Sequence, residues 1–213
     1  MKRRVLGISL VVALVAIVAV GATLAYFTDS TNVVQNTFTM GNVEIKLDEI
    51  DNTKTDGSRT EEGNAYTGVT PGVALDKDPT VWNTGANDAW VRVNVTVSNA
   101  SAWKTALTNH GITDLATIFG GHDATKWTRA GIVEDTGKDT ITYSYYYNTV
   151  VPGKTASKTS STGALFTTVT IPAVFDNADV ESIKGFEITI TADAIQTDAS
   201  FTTAAQAFAK FDA

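Results

Sequence analysis

Few residues of this chain are suited to acid–base or metal chemistry. The histidines are His110 and His122, twelve residues apart, and neither has a glutamate beside it. Zinc hydrolases typically use two histidines on one helix face with a glutamate as the base, as in His-Glu-x-x-His. Both histidines adjoin glycines, Gly111 in one case and Gly120-Gly121 in the other. We therefore interpret them as exposed loop residues.

Groups for nucleophilic catalysis are also missing from the sequence. The chain contains no cysteine, which excludes thiolate catalysis, disulfide bonds and cysteine-ligated zinc. It has no Gly-x-Ser-x-Gly segment of the kind that presents a catalytic serine. We therefore predict a protein that is not an enzyme, with no catalytic residue, no metal ligand and no cofactor.

Acidic residues cluster early in the chain, beside Asn52 and Gly57. The cluster consists of Asp48, Glu49, Asp51 and Asp56. Such oxygen ligands can hold calcium, but their spacing differs from that of an EF-hand loop. A solvated, negatively charged connection is the simpler interpretation. Further aspartates are expected at turns and helix caps, namely Asp76, Asp78, Asp135, Asp139, Asp176 and Asp179.

Aromatic residues offer a second kind of site, because exposed rings on a sheet can stack on sugars. Tyr143, Tyr145 and Tyr147 share the parity of Ile141, so in a strand they face the core together. Tyr146 then faces the opposite side, which leaves sugar binding open as an alternative. The tryptophans are expected to pack in the core or against helices: Trp82, Trp90, Trp103 and Trp127.

The N-terminus has the pattern of an export signal. Lys2-Arg3-Arg4 precedes the apolar residues 5–24, and small side chains stand at Thr23 and Ala25. A membrane-embedded signal peptidase requires this arrangement, so we predict cleavage before Tyr26. An uncleaved anchor is the alternative, since about 20 apolar residues can span a bilayer.

Composition favours an exported globular domain that does not bind nucleic acid. Without residues 1–25, which hold three basic and no acidic residues, the chain has 13 positive and 23 negative side chains, a formal net charge of −10. Phosphate groups would be repelled by such a surface. The remaining 188 residues are enough for one well-buried core.

A period of two dominates the mature chain and predicts antiparallel strands. It is clearest in residues 43–47, 91–97 and 186–191, and further strands are expected in residues 79–83, 127–134, 140–147 and 165–171. Residues 135–139 are rich in turn formers and predict a hairpin connection. Seven or eight short strands predict a β-sandwich, and alternation alone does not separate a jelly roll from an immunoglobulin-like arrangement.

Three segments depart from the strand pattern. Trp103, Ala106 and Leu107 are spaced for one helix face within residues 101–119. Residues 151–163 have no apolar period and predict a mobile surface loop. A C-terminal helix is expected from residue 202 to 211, with one face formed by Phe201, Ala205, Phe208 and Phe211.

Several segments resemble a known family when they are taken in order. They are Ala25-Tyr26-Phe27-Thr28-Asp29, Asn36-Thr37-Phe38-Thr39-Met40-Gly41 with Asn42-Val43-Glu44-Ile45-Lys46-Leu47 after it, the stretch from Thr70-Pro71-Gly72 to Asn83-Thr84-Gly85, Ala89-Trp90-Val91-Arg92-Val93, and Ile190-Thr191-Ala192-Asp193-Ala194-Ile195-Gln196. These segments are similar to the TasA/camelysin family, while residues 99–184 resemble nothing that we can name.

The resemblance implies a fold, a processing route and a function. The expected fold is all-β, an antiparallel jelly-roll sandwich with short helical insertions and an N-terminal signal helix, divided into residues 1–25, 26–40 and 41–213. The leader would be cut by a SipW-type signal peptidase. Members of the family form extracellular matrix or pilus-like fibres by inserting an N-terminal strand into the next subunit. Camelysin-like members have been regarded as metalloproteases, an activity that His110 and His122 do not support.

The segment freed by cleavage is the predicted assembly element. An extended tail can pair with an open sheet edge of another subunit, and repetition of such a head-to-tail contact gives a filament. The expected donor residues are Tyr26, Phe27, Thr28, Thr31, Val33, Val34 and Phe38. Sequence alone does not separate donation from pairing of this segment within its own sheet, nor a fibre subunit from a monomeric accessory protein.

The partners follow from this interpretation. We expect a secreted protein of the extracellular matrix or cell surface, whose main partner is a second copy of itself. Other partners would be the SipW-type signal peptidase and other matrix or cell-surface components. Nucleic acid is not expected, and the membrane would be contacted only through the uncleaved leader.

Overall fold

A computed structural model describes residues 42–213. The predicted signal helix, the cleavage residues Thr23, Ala25 and Tyr26, and the donor segment 26–40 all lie outside the described residues. Within residues 42–213, none of the helices combines the length and the apolar character needed to cross a membrane.

Short strands make up most of the described structure. The strands are Ile45–Ile50 (β1), Arg59–Thr60 (β2), Ala74–Asp76 (β3), Thr80–Asn83 (β4), Ala89–Ser98 (β5), Phe119–Gly120 (β6), Trp127–Asp135 (β7), Thr140–Tyr147 (β8), Ser160–Ala164 (β9), Thr168–Thr170 (β10) and Ile188–Gln196 (β11). The α-helices are Ala100–Asn109 (α1), Asn177–Ser182 (α2) and Ala204–Phe211 (α3), and Leu115–Ile118 forms a 3-10 helix.

The strands form three antiparallel sheets. Their orders are β2-β1-β4-β9, β3-β10-β6 and β11-β5-β8-β7. Strands distant in the chain are neighbours, as β5 and β11 are, which is the connectivity of Greek-key and jelly-roll folds. The predicted all-β antiparallel sandwich with short helical insertions is therefore confirmed.

Alternation in β5 and β8 places the core. Val91, Val93, Val95 and Val97 are buried, whereas the residues between them are half-buried on the other face. In β8, Ile141, Tyr143 and Tyr145 are buried in the same way. Because successive strand residues point to opposite faces, this one sheet carries an apolar inner row and a polar outer row.

The predicted insertion between strands is confirmed. Helix α1 buries Trp103, Ala106 and Leu107, and the ring of Phe186 meets that of Trp103 edge-on at 5.0 Å. Gly111 follows the helix with φ of 72°, a conformation that glycine adopts without strain and that commonly ends helices. The 3-10 helix comes next, still within the segment 101–119 that departs from the strand pattern.

The predicted loop at residues 151–163 is wrong in part. Val151 is buried and exchanges backbone hydrogen bonds with Ala89. Ser160–Ala164 forms β9, which pairs with β4, and the Thr162 hydroxyl accepts a hydrogen bond from Val81 N at 3.2 Å. Backbone pairing and one buried threonine hold this strand in the sheet. It therefore does not need an apolar side chain at every second position, and its sequence has no apolar period.

The face of the C-terminal helix also differs from the prediction. Ala204, Ala207 and Phe208 are buried, whereas Ala205 is exposed and Phe211 keeps 64% of its surface accessible. The helix begins after Thr203, whose hydroxyl accepts a hydrogen bond from Gln206 N. The start of the helix at Ala204 and the packing of Phe208 on the sheet determine which side of the helix faces the core. The sequence spacing did not reveal this orientation.

Candidate functional site

Two long strand edges dominate the periphery of the sheets. β7 and β11 are both nine residues long and form the two ends of the same sheet. The other sheets end in shorter strands, of two residues in β2 and β6, three in β3 and five in β9. Because short edges offer few backbone groups to an added strand, β7 and β11 are the candidate binding edges.

β11 has a regular register and an incompletely covered apolar row. It pairs with β5 without a shift from Ile188 opposite Val97 to Gln196 opposite Ala89. Its inward-facing residues are only partly buried against the core, namely Ile188, Ile190, Ala192 and Ala194. The sandwich therefore leaves apolar surface accessible along this strand.

The backbone of β11 is also open on its outer side. Ser98 N donates to Glu187 O, and Thr197 N donates to Asp88 O. Since antiparallel ladders alternate, odd-numbered residues bond to β5 and the backbone groups of residues 188, 190, 192 and 194 point away. None of these groups has a hydrogen-bond partner within residues 42–213. We call this row, residues 188–194, the β11 edge.

A cavity lies at one end of the β11 edge. It has a volume of about 260 Å³ and lies between β1 and β11, with Leu47, Ile188 and Ile190 as its apolar lining. Glu49 and Lys77 contribute polar wall groups. We call it the corner notch. It continues the half-covered apolar row of β11 toward β1.

Buried charges hold the wall of the corner notch. Lys77 Nζ lies 2.6 Å from Glu49 Oε2, and Asn64 Nδ2 donates to Glu49 Oε1 at 3.0 Å. Arg59 reaches Asp48 and Asp78, with both nitrogen–oxygen distances 2.7 Å. These contacts fasten the connection between β1 and β4 onto the sheet.

This network corrects the interpretation of the acidic cluster. Asp48 and Glu49 lie in β1 and are buried, so they are not part of a solvated loop. Arg59 and Lys77, distant in the chain, supply their counter-charges. Asp51 and Asp56 do lie in exposed turns, where each carboxylate accepts hydrogen bonds from a residue two positions later.

Four of the six aspartates predicted at turns and caps are found there, whereas Asp76 lies in β3. Asp176 caps α2, and the Asp179 carboxylate accepts a hydrogen bond from Asp176 N. The Asp135 carboxylate accepts from Gly137 N in the hairpin turn. Asp139 accepts from Ser101 N at the start of α1. Asp78 instead pairs with Arg59, so turn chemistry describes only part of its role.

The outer side of β7, which we call the β7 edge, differs from the β11 edge in its register and in its side chains. A register shift between Arg129 and Gly131 interrupts its pairing with β8, and Ile132 and Val133 are 48% and 63% exposed. Arg129 forms an ion pair with Asp114 at 2.6 Å, and Glu134 forms one with Lys104 of α1. A bulge and charged side chains therefore line this edge.

The two histidines do not share a partner. His110 Nε2 lies 2.7 Å from Asp179 Oδ2, and this hydrogen bond is the main cause that lowers the pKa of Asp179. His122 Nδ1 lies 3.1 Å from the Leu165 carbonyl oxygen. In the part of the chain from residue 42 onward, no group of three or more His, Cys, Asp or Glu side chains is arranged to hold a metal ion.

The aromatic residues mostly belong to the core. Tyr143 and Tyr145 are buried as predicted, and burial raises the pKa of both hydroxyls. Tyr146 lies on the opposite face, where its ring stacks on that of Phe208 with centroids 5.6 Å apart. Trp90, Trp103 and Trp127 are buried, while half-buried Trp82 donates its indole N–H to Asp48.

Comparison with known proteins adds nothing to this description. No protein-family model, no curated protein and no solved structure matches the sequence. The resemblance to the TasA/camelysin family stays a prediction. The β11 edge was not named from sequence, because which strand lies at an edge depends on the whole sheet order.

Proposed function

We propose that this protein is an exported structural subunit that polymerises by strand donation. Residues 26–40 of one molecule, freed by signal-peptidase cleavage, would add to the β11 edge of the next molecule. The observation that carries the proposal is the combination found on β11: half-buried apolar side chains on one face, and outward backbone groups unpaired among residues 42–213.

The sequence of the donor segment suits this acceptor. Val34, Phe38 and Met40 share one parity with a single polar residue, Asn36, whereas the alternate positions hold the polar Gln35, Thr37 and Thr39. In an extended strand the first set falls on one face. This face would extend the apolar row of residues 188–194 by one strand, while the threonines would point to the other side of the sheet.

The contact would supply both hydrogen bonds and apolar burial. Each new backbone hydrogen bond contributes about 0.5 to 1.5 kcal/mol net, and apolar burial contributes about 25 cal/mol per Å2. Because the donor and the acceptor are two different surfaces of the molecule, the contact would be head-to-tail and would repeat into a filament. No disulfide is needed.

This proposal assigns no catalytic role to any residue. The protein would work outside the cell, in a matrix or on the cell surface, with other copies of itself and with further matrix or surface components. A SipW-type signal peptidase would be its processing enzyme. The rival arrangement is a monomer in which residues 26–40 pair within their own molecule.

Truncation and electron microscopy test the proposal. The secreted protein should begin at Tyr26 by N-terminal sequencing, and the mature chain should form fibres under negative stain. Deletion of residues 26–34 should abolish fibres while the thermal unfolding midpoint stays near that of the full mature chain. Fibres formed normally by the truncated chain would overturn the mechanism.

A matched pair of substitutions refines the test. Phe38→Asp places a charge on the donor face that meets the β11 row, whereas Thr37→Asp places the same charge on the opposite face. We expect Phe38→Asp to prevent fibres and Thr37→Asp to permit them. Equal effects of the two substitutions would contradict a strand with one buried face.

A further inference from the structure

A second cavity lies on the inner side of the sheet near β7, away from the β11 edge. It has a volume of about 280 Å³, close to the lower limit for small-molecule sites. Phe119 and Phe166 form its apolar floor, and their stacked rings have centroids 4.7 Å apart. Its size suits one small ring. We call it the Tyr145 cavity.

Tyr145 contributes an unused polar group to this cavity. The residue is only 5% exposed and lines the cavity. Its hydroxyl has no hydrogen-bond partner among the part of the chain that the structure describes. Burial raises the pKa of this hydroxyl, so it stays protonated at neutral pH and can donate as well as accept. Water or a ligand in the cavity can satisfy this hydroxyl.

The rim of the cavity carries balanced charges. Arg129 NH1 donates to Asp114 Oδ2 at 2.6 Å, and Ala116 N donates to Asp114 Oδ1 at 2.9 Å. One guanidinium and one carboxylate neutralise each other, while both keep unused hydrogen-bonding capacity. His122 completes the rim, with its ring centroid 5.3 Å from that of Tyr145.

A neutral, hydroxyl-rich ring matches this set of groups. A sugar hydroxyl can donate to a carboxylate and accept from a guanidinium or phenol at the same time. The paired charges of Asp114 and Arg129 disfavour a charged ligand. The apolar floor suits the C–H face of a sugar ring.

We propose that the Tyr145 cavity binds a pyranose, such as a terminal sugar of a cell-surface or matrix glycan. Asp114 and Arg129 would hold two adjacent hydroxyls, and the Tyr145 hydroxyl would hold a third polar group. This site replaces Tyr146 as the candidate for sugar recognition, because Tyr146 is stacked beneath Phe208. The inference does not depend on fibre formation.

Saturation-transfer difference NMR on the mature chain tests the site, since the method tolerates large assemblies. The probes are the methyl pyranosides of glucose, galactose and mannose, and their affinities are obtained by titration. We expect saturation of ring protons for at least one glycoside. Tyr145→Phe should weaken its binding about tenfold, which equals the loss of about 1.4 kcal/mol expected for one hydrogen bond.

Two further variants keep the result interpretable. Arg129→Gln changes an exposed rim residue and should weaken binding without altering the fold. Tyr146→Phe removes a hydroxyl on the opposite face and should leave binding unchanged. The proposal is overturned if no glycoside binds, if Tyr145→Phe and Arg129→Gln bind like the unmodified chain, or if Tyr146→Phe weakens binding equally.

Discussion

β7 and β11 have the same length and end the same sheet, yet they present opposite surfaces to an approaching strand. The bulge in β7 bends its backbone, and Arg129 and Glu134 hold ion pairs beside it. β11 has an uninterrupted register and an inner row of Ile and Ala residues. The β7 edge carries a bulge and two ion pairs, whereas β11 has no register shift and carries one ion pair, between Asp193 and Arg92 of β5.

The difference indicates how a sandwich can direct assembly to one end of a sheet. Bulges and charged residues are common ways to block an exposed edge. By the same reasoning, the bulge and ion pairs of the β7 edge would disfavour side-by-side joining of sheets. Under the proposed mechanism, the regular β11 edge, next to the corner notch, would accept a strand of matching pattern. Polymerisation by this route has one donor and one acceptor per molecule.

Proline substitutions at the two edges should give the largest contrast. Ala192→Pro removes an outward N–H of β11 and leaves the bonds to β5 intact, because proline is tolerated where the N–H faces away from the ladder. We expect it to reduce fibre yield about tenfold or more, since each 1.4 kcal/mol of lost contact is a factor of ten. Sedimentation of the assembled fraction measures this.

The control for this prediction is Ile132→Pro, which removes an outward N–H of β7. Fibre yield should stay near that of the unmodified chain. A loss of fibres in Ile132→Pro together with normal fibres in Ala192→Pro would assign the acceptor to β7.

Breaking the buried ion pair beside the corner notch should give the largest loss of stability. Lys77→Met leaves Glu49 buried without its counter-charge, which costs about 3 to 5 kcal/mol. Urea unfolding of the truncated chain that lacks residues 26–34 measures the change. The double variant Lys77→Met with Glu49→Leu should recover most of the loss. A single variant as stable as its parent would show that the pair does not support the notch.

Truncation of one isoleucine on each edge should give a smaller contrast. Ile190→Ala on β11 removes a half-buried side chain and should cost about 1 to 2 kcal/mol, below the range for fully buried residues. Ile132→Ala on β7 removes a side chain that lies largely in water and should change stability by less than about 0.5 kcal/mol. If urea unfolding shows equal losses of unfolding free energy for the two variants, Ile190 and Ile132 are buried to the same extent, which would contradict this contrast.

Acid should weaken the turns beside both edges, with the smallest expected effect. Asp56, in the connection from β1 to β2, and Asp123, just before β7, have pKa values below the ordinary 3.8, chiefly because of hydrogen bonds from Ser58 and Thr125. A carboxyl whose folded-state pKa is lowered stabilises the fold above its unfolded-state pKa and loses that contribution as pH falls through the lowered value.

The free energy of unfolding should therefore decrease as pH falls below about 4. Urea titrations across this range measure it. Asp56→Asn and Asp123→Asn should each slightly reduce the change in the free energy of unfolding with pH. If both variants keep the full change with pH, the acid sensitivity comes from other carboxylates.

The sequence predicted those parts of the fold in which side chains repeat with the period of a strand or helix. β8 was expected at residues 140–147 and is found there, because Ile141, Tyr143 and Tyr145 alternate with polar residues. The buried face of α1 was expected from Trp103, Ala106 and Leu107 for the same reason. Local periodicity is enough to predict an element when its buried residues recur with the same period.

Features that depend on distant partners were not predictable. Ser160–Ala164 forms a strand through backbone pairing with β4, which leaves no apolar period in its residues. Asp48 and Glu49 are buried because Arg59 and Lys77 reach them from later in the chain. The open character of β11 is likewise a property of the sheet order, so the candidate acceptor emerged only from the structure.

Cysteine cross-linking tests the central claim most directly, because the native chain has no cysteine. Val34→Cys, in the donor segment, is mixed before assembly with Ala192→Cys on β11 or with Ile132→Cys on β7, and the fibres are oxidised. We predict covalent dimers of the Val34→Cys and Ala192→Cys chains and none with Ile132→Cys. Dimers only with Ile132→Cys, or an Ala192–Val34 double cysteine variant that closes only within single molecules, would contradict donation to the β11 edge.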